Sequence, residues 1–500
     1  MIIISPQGPI NLLLTVDNLR NLANQTAIYG ISTIGARLLN FMLIPYLTRV
    51  IGIAEYGVIT YMYSLVPFLL IVLTMGMETG YFNFAGKATS EAEKRNIFQT
   101  TWGAVTAVSL LFFVLVCLFF RPIAASLSYS PSYVLIIGII IALDAICAIP
   151  FARLREQGRA MKYVSLRLIS VVITVVLTVF FYSVLPALGR YDISFAPGYY
   201  MVANLMASAV TLPLLYTAYK GFRPKVDTKL LRVIFLYSMP LLISGIAGVA
   251  TDFIDRQFLK FLLPEGIADA ELGIYGAVTK IGVILILFVQ MYRIAAEPFF
   301  LGNFAKDDFC RLNAEAMKYF VMVSVFIFLV ISLYPSLFGL LVGEDFREGM
   351  SILPVVLTSN IFAGIVLNLS FWYKKSGRTN YAIIITGTGL AVSSVANVML
   401  IPRIGYAGAA WARLACEMVM VVVSYMLMRR FYPIDYDLGR IARYFLVGAV
   451  IYCLSLFTAR LPHHLDWFVN LILVSVFVYY AVKSEKIDVK QLAKSILNRK

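Results

Sequence analysis

Hydrophobic runs of about twenty residues, each ended by a short polar break, recur along the whole chain. Reading from run to break places about fourteen spans, near 24–48, 56–79, 97–120, 132–152, 164–188, 199–219, 234–262, 272–300, 317–342, 351–373, 380–401, 407–429, 441–459 and 466–482. Helical runs of this length match the hydrocarbon thickness of a bilayer. Unsatisfied backbone groups are costly in hydrocarbon, so spanning segments are helices or closed barrels, and runs this continuous lack the alternation of barrel strands. The pattern predicts an all-α polytopic membrane protein.

A second pattern lies over the first. Arg37, Pro45, Tyr56-Gly57, Thr60, Glu78 and Gly158-Arg159 recur 219 positions later as Arg256, Pro264, Tyr275-Gly276, Thr279, Glu297 and Gly377-Arg378, with no gap between them. Chance similarity in so apolar a chain favours Leu, Ile and Val pairs, whereas these matches are charged or punctuating residues. The expected organisation is an N-terminal extension over 1–18, an N-lobe of helices 1–6 over 19–222, a C-lobe of helices 7–12 over 223–430, helices 13–14 over 431–482 and a basic cytoplasmic tail over 483–500. The apolar stretch Met1 to Leu14 carries Pro6 and Pro9 and no basic start, which makes it a peripheral extension and not a signal peptide.

Composition agrees: 60% of residues are hydrophobic and only 14% charged, which excludes an ordinary soluble domain. The formal charge of +15 raises the question of nucleic acid, but the cations sit in alternate loops, as in Arg153, Arg155, Arg159 and Lys162, or Lys374, Lys375 and Arg378. Under the positive-inside rule these loops and both termini are cytoplasmic, and no nucleic-acid partner is expected. A repeat of about six spans starts its second copy on the same side, so the halves are parallel, an arrangement expected of transporters with a substrate site between repeats.

Polar residues inside the spans mark the candidate site, since each charge is costly at the bilayer centre. Gln25, Tyr29, Thr33, Arg37 and Asn40 follow helical spacing and form one stripe on the first span. Span seven carries Ser244, Asp252 and Arg256, the last two spaced for an intrahelical pair. Thr60, Ser64, Pro67, Thr74 and Glu78 share a face of span two, and Thr279, Gln290, Arg293 and Glu297 share the related face of span eight, with Lys280 beside it. The expected cavity set is Arg37, Arg256, Arg293, Lys280, Gln25, Tyr29, Thr33, Asn40 and Gln290, and the ion-coupling candidates are Glu78, Glu297 and Asp252. The competing reading makes these charges structural: Arg293 neutralises Glu297 one turn away, Arg413 does the same for Glu417, and Glu78 and Glu297 serve as interfacial anchors.

The segments Asn21-Leu22-Ala23-Asn24-Gln25-Thr26-Ala27-Ile28-Tyr29-Gly30, Gly35-Ala36-Arg37-Leu38-Leu39-Asn40, Pro45-Tyr46-Leu47-Thr48-Arg49, Glu55-Tyr56-Gly57 and Gly76-Met77-Glu78-Thr79 resemble a bacterial polysaccharide flippase of the O-antigen transporter type. Leu272 to Ile281 and Arg293 to Phe300 extend the resemblance, which covers roughly residues 19 to 430. It implies the multidrug, oligosaccharidyl-lipid and polysaccharide exporter superfamily, with two pseudo-symmetric six-helix lobes of MATE type around a cavity, plus two C-terminal helices. It further implies an undecaprenyl-diphosphate-linked oligosaccharide as cargo, the bacterial cytoplasmic membrane as location, and a place in O-antigen, capsule or exopolysaccharide synthesis beside other assembly proteins. In related lipid II flippases cavity arginines are associated with the diphosphate, and Arg37 and Arg256 occupy matching positions here.

The chemistry is consistent with that implication, because guanidinium groups meet diphosphate oxygens through paired charge-assisted hydrogen bonds, and Asn40, Gln290 and Tyr29 offer amides and an aromatic face to sugars. A drug exporter of the same fold, expected to favour acidic and aromatic cavity residues, is the nearer alternative. A membrane enzyme of polysaccharide assembly is the remoter one: the histidines are only His463 and His464, adjacent in a short loop, and long extramembrane loops are lacking. Cys117, Cys147, Cys310, Cys416 and Cys453 show neither metal-ligand spacing nor a disulfide framework. With no nucleotide-binding glycine loop and no cofactor expected, the drive is a proton or sodium gradient or the membrane potential.

Overall fold

A computed structural model describes residues 39, 41–222, 226–302, 308–458 and 462–485. The described residues form helices and no strand. In chain order the principal helices are α1 (Phe41–Val50), α2 (Ile53–Thr74), α3 (Met77–Lys87), α4 (Glu91–Leu127), α5 (Pro131–Glu156), α6 (Ala160–Ala187), α7 (Ala196–Leu214) and α8 (Thr228–Leu262). They continue as α9 (Glu265–Ile281), α10 (Val283–Gly302), α11 (Phe309–Ser332), α12 (Leu353–Lys375), α13 (Tyr381–Phe431), α14 (Leu438–Thr458) and α15 (His463–Ser484).

Among the described residues nine helices are long and apolar enough to cross a bilayer, or ten when α9 and α10, bent by 46° at Gly282, count as one span. The 51 residues of α13 are two helices joined at Ile404 and Gly405, where Gly405 takes φ +56°. The close approach of Gly408 to the Leu400 backbone shows that they fold back as a hairpin, which supplies two of the expected spans. Fourteen spans are compatible with this tally, since α7 and α8, of 19 and 35 residues, each have the length of a span and the first span lies largely outside the described residues. Large apolar side chains point outward along the helices, as Leu110, Leu111, Val114, Leu115, Leu118 and Phe119 do on α4. That is an arrangement for lipid and not for water.

Local chemistry sets the helix ends. Ser90 accepts from the Glu93 amide at 3.2 Å while Glu93 accepts from the Thr89 amide at 3.0 Å, a reciprocal cap that starts α4. Asp227 accepts from the amides of Leu230 and Lys229 at the start of α8, and these bonds hold its carboxyl below the usual carboxylate range.

Contacts divide the chain into two compact units, one built on Val58–Phe253 and the other on Ile44–Gly57 with the chain from Ile254 on. In the first unit α5 packs on α4 and α7, and α6 packs on α7. Arg153 lies 4.2 Å from the Phe98 ring and donates to the Ala218 carbonyl at 2.9 Å. In the second unit α12 packs on α13, α11 on α12 and α14, and α14 on α15. Gly57 and Gly273 sit where α2 begins against α9: a Cβ at Gly57 would collide with the Asp269 carbonyl oxygen, and one at Gly273 would collide with that of Ile53. Only hydrogen at both positions permits this crossing.

The repeat is visible in backbone detail. Gly158 takes φ +68° and Gly377 takes φ +69°. After each, the next amide reaches back into the last turn of the helix: Arg159 to the Leu154 carbonyl at 2.9 Å, and Arg378 to the Tyr373 carbonyl at 2.8 Å. The same left-handed helix terminator closes α5 and α12, which gives the recurring Gly-Arg pair a physical reason.

Candidate functional site

Gln25, Tyr29, Thr33, Arg37 and Asn40, the expected stripe on the first span, lie outside the described residues. The other named residues fall into the two units. In the first, Asp252 is exposed, and Glu78 at the start of α3 accepts from Arg155 at the end of α5 at 2.9 Å. In the second, Glu297 on α10 pairs with Lys374 at the end of α12 at 3.1 Å and with Arg293 at 3.3 Å. The i,i+4 neutralisation of Glu297 by Arg293 is therefore present, yet the Arg293 side chain stays 59% exposed.

The other two expected cavity cations of the second unit, Arg256 and Lys280, lie against tyrosines. Lys280 Nζ donates to the Tyr56 hydroxyl at 3.0 Å and lies 5.1 Å from its ring, and the Arg256 guanidinium lies 5.8 Å from the Tyr275 ring. Tyr56 and Tyr275 are themselves 219 residues apart. Lys280 stands just before the α9–α10 break, where the freed Gly282 carbonyl accepts from buried Asn360 at 3.1 Å. A break repaired by a side chain lets a membrane helix bend without leaving backbone unsatisfied. Gln290 on α10 is half-buried and has no hydrogen-bond partner among the described residues.

Two intramembrane aspartates escaped the reading of stripes. Asp255 on α8 is 0% exposed and accepts from the Tyr275 hydroxyl at 3.2 Å, the Ser393 hydroxyl at 3.4 Å and the Asn397 amide at 3.0 Å, with Arg413 at 3.9 Å. Arg413 thus has a partner on another helix. Asp144 on α5 is half-buried and accepts from the Ser208 hydroxyl of α7 at 2.7 Å. A lone carboxylate in an otherwise apolar run was the available signal for Asp144, whereas Asp255 stands between the singled-out Asp252 and Arg256.

The described residues include no group of three or more His, Cys, Asp or Glu able to hold a metal. The structure is similar to that of lipid II flippase MurJ in an inward closed conformation, at 13% identity and TM-score 0.71, covering 92% of this chain and all of that one. It is similar to an inward-facing multidrug resistance MATE family transporter of the MOP superfamily, at 13% identity and TM-score 0.62 over 84% of this chain and 95% of that one. A ligand complex of the MATE multidrug transporter DinF-BH gives 15% identity and TM-score 0.59 over 82% and 95%. At these identities the likeness establishes the fold. Among curated proteins none is similar enough in sequence to match. The polysaccharide biosynthesis protein family matches residues 22–301, more than half of the chain, and the chain, a multi-pass membrane protein with a MurJ- and MATE-like helical fold, belongs to that family.

Proposed function

We propose that the chain is a flippase that moves undecaprenyl-diphosphate-linked oligosaccharide units across the bacterial cytoplasmic membrane by alternating access, for O-antigen, capsule or exopolysaccharide synthesis, with both termini in the cytoplasm. The observation that carries this reading is the match to the polysaccharide biosynthesis family over residues 22–301, joined to a fold shared along 92% of the chain with a lipid II flippase. In this reading it acts as a transporter and not as an enzyme, needs no cofactor, and works beside other polysaccharide assembly proteins.

The chemistry of the second unit supports an anionic head group. Arg256 and Lys280 rest on a tyrosine face and a tyrosine hydroxyl, and the Arg293 guanidinium, though paired with Glu297, remains largely exposed, so its charge can still meet an anion. A diphosphate would take charge-assisted hydrogen bonds from these groups, with Arg37 as the repeat partner of Arg256. The Gln290 amide is of the kind that sugars use, and the prenyl chain stays in lipid. A MATE-like exporter of drugs or other amphiphiles is the second reading, favoured by the TM-score of 0.62 to such a transporter.

The deciding experiment is mass spectrometry of polyprenyl-diphosphate oligosaccharides in a depletion strain, with an assay for the leaflet that holds them. Accumulation on the cytoplasmic leaflet with loss of surface polymer supports the flippase and reveals the glycan. An unchanged pool with intact polymer rejects it in favour of the amphiphile exporter.

A further inference from the structure

Asp144 and Asp255 lie within helices of different units, and the two are treated in opposite ways. Asp255 is saturated: three hydrogen-bond donors and the Arg413 guanidinium surround a side chain with no exposed surface. Asp144 lies midway along α5 and has one hydrogen-bond partner, Ser208, and no ion-pair partner among the described residues. They are not repeat partners either, since position 363 is Ala363 and position 36 is Ala36.

The surroundings of Asp144 are those of a group whose charge changes. Tyr63, midway along α2, feels the Asp144 charge, and its buried hydroxyl has no hydrogen-bond partner among the described residues. Arg167 on α6 is the cation that acts on Asp144, from beyond ion-pair distance while it lies over the Phe151 ring at 4.1 Å. Cys147, one turn along α5, is the other titratable neighbour. Packed against α5, α4 carries its charges only at Glu91, Glu93, Lys94 and Arg95 in its first turns and at Arg121, and α3 carries Glu78 and Lys87, the former tied to Arg155. An ionised carboxylate at mid-bilayer needs a counter-charge or several donors, whereas a protonated one needs an acceptor for its hydrogen and little else. Ser208 is a hydroxyl, able to accept when Asp144 is protonated and to donate when it is ionised. Ser208 already does the second.

We infer that Asp144 is a reversible proton-binding site in the first unit, with Ser208 as its hydroxyl partner, and that its protonation couples the proton gradient to transport. The coupling clause rests on the transporter reading above; the proton-binding clause does not. A step of the cycle then protonates the carboxylate from one side of the membrane and releases the same proton to the other, with no net chemistry on the protein. Part of the Asp144 surface remains open, which such an exchange requires.

The test is infrared difference spectroscopy of the full-length protein in neutral-lipid vesicles as pH is stepped, reading the C=O stretch of a protonated carboxyl, with glycan export scored in cells. The expected result is a titrating band that is missing in Asp144→Asn, shifted in midpoint in Ser208→Ala, and intact in Glu78→Gln, together with loss of export in Asp144→Asn at normal membrane abundance. A band that survives Asp144→Asn overturns the assignment, as does an unmoved midpoint in Ser208→Ala, a variant that retains the carboxyl should the Asn variant fail to fold. Export that persists in Asp144→Asn with the band gone overturns the coupling. A wild-type protein that shows the band but exports no glycan supports the proton site while rejecting the flippase reading.

Discussion

Glu78 accepts a hydrogen bond from Arg155 at 2.9 Å, and 219 residues later Glu297 and Lys374 repeat the same contact at 3.1 Å with the same 77-residue separation. Each pair ties the end of α5 or α12 to the helix that carries the glutamate, one turn from the left-handed terminator at Gly158 or Gly377. Both carboxylates therefore have a cation partner within their own unit. The Arg155 and Glu78 side chains are 33% and 40% exposed, so solvent and salt reduce the worth of the pair. A double-mutant cycle of Glu78→Gln and Arg155→Gln, read by thermal unfolding in detergent, is expected to give a coupling of about 0.2–1 kcal/mol. Export should fall no more than protein abundance does; a larger loss would show that the glutamate does more than anchor.

Asp255 and Arg413 predict a larger effect, because their environment is dry. Asp255→Ala leaves Arg413 without this counter-charge and three donors on Tyr275, Ser393 and Asn397 without their acceptor. Breaking one side of a buried pair typically costs about 3–5 kcal/mol, whereas replacing both partners with apolar groups of similar size is far milder. Membrane abundance and thermal midpoint should drop sharply in Asp255→Ala and recover in large part in Asp255→Leu with Arg413→Met. Equal losses in the single and double variants would show that the network is not held together by charge.

Much of the fold was legible because a bilayer imposes one rule on every span: the breaks at Gly158 and Gly377, at Ile404 and Gly405, and before Thr228 all fall where apolar runs end. The repeat was legible because its turn needs a left-handed residue and its ion pair needs opposite charges. The site was less so. Stripe patterns register several polar residues on one helix, while Asp144 draws Ser208 from 64 residues away and Asp255 draws Asn397 from 142 away, distances that no local period encodes. The bend at Gly282 lies inside a continuous apolar run, and what makes it tolerable, Asn360, comes from α12.

The crossing of α2 and α9 gives a steric prediction. Cβ atoms essentially never stand under 3.0 Å from a backbone atom, so Gly57→Ala and Gly273→Ala each force the helices apart. Gly248→Ala, whose added carbon meets nothing within 4 Å, is the matched control and replaces glycine by the better helix former. Detergent-stable protein should be strongly reduced in the first two variants and unchanged or raised in the third. Wild-type stability in Gly57→Ala would mean that the crossing has room to spread.

The root of α15 carries the pH dependence that can be signed. Glu485, 2% exposed in its side chain, accepts from Lys318 on α11 and from the Tyr444 hydroxyl of α14 at 2.7 Å, with Arg440 at 3.7 Å. Burial pushes its carboxyl up, but the hydrogen bonds from Lys318 and Tyr444 and the charges of Lys318 and Arg440 outweigh it, and the carboxyl is held below its usual value. The unfolded state then binds the proton more readily than the folded one, so this contribution to stability is full above the unfolded value of about 4.3 and is lost as pH falls through the lower folded value. Hydrogen exchange of α14 and α15 should quicken in the wild type as pH drops from about 6 to below about 4, after correction for the intrinsic rate. In Glu485→Gln the same helices should exchange faster already at neutral pH, and with a shallower acid response, because the amide keeps the shape of the carboxylate but neither its charge nor its proton. Identical pH slopes in the two proteins would move the anchoring of α14 and α15 from this ionic cluster to the apolar seam and to Asn470, whose amide donates to the Leu333 carbonyl at 2.9 Å at the opposite end of the same helices.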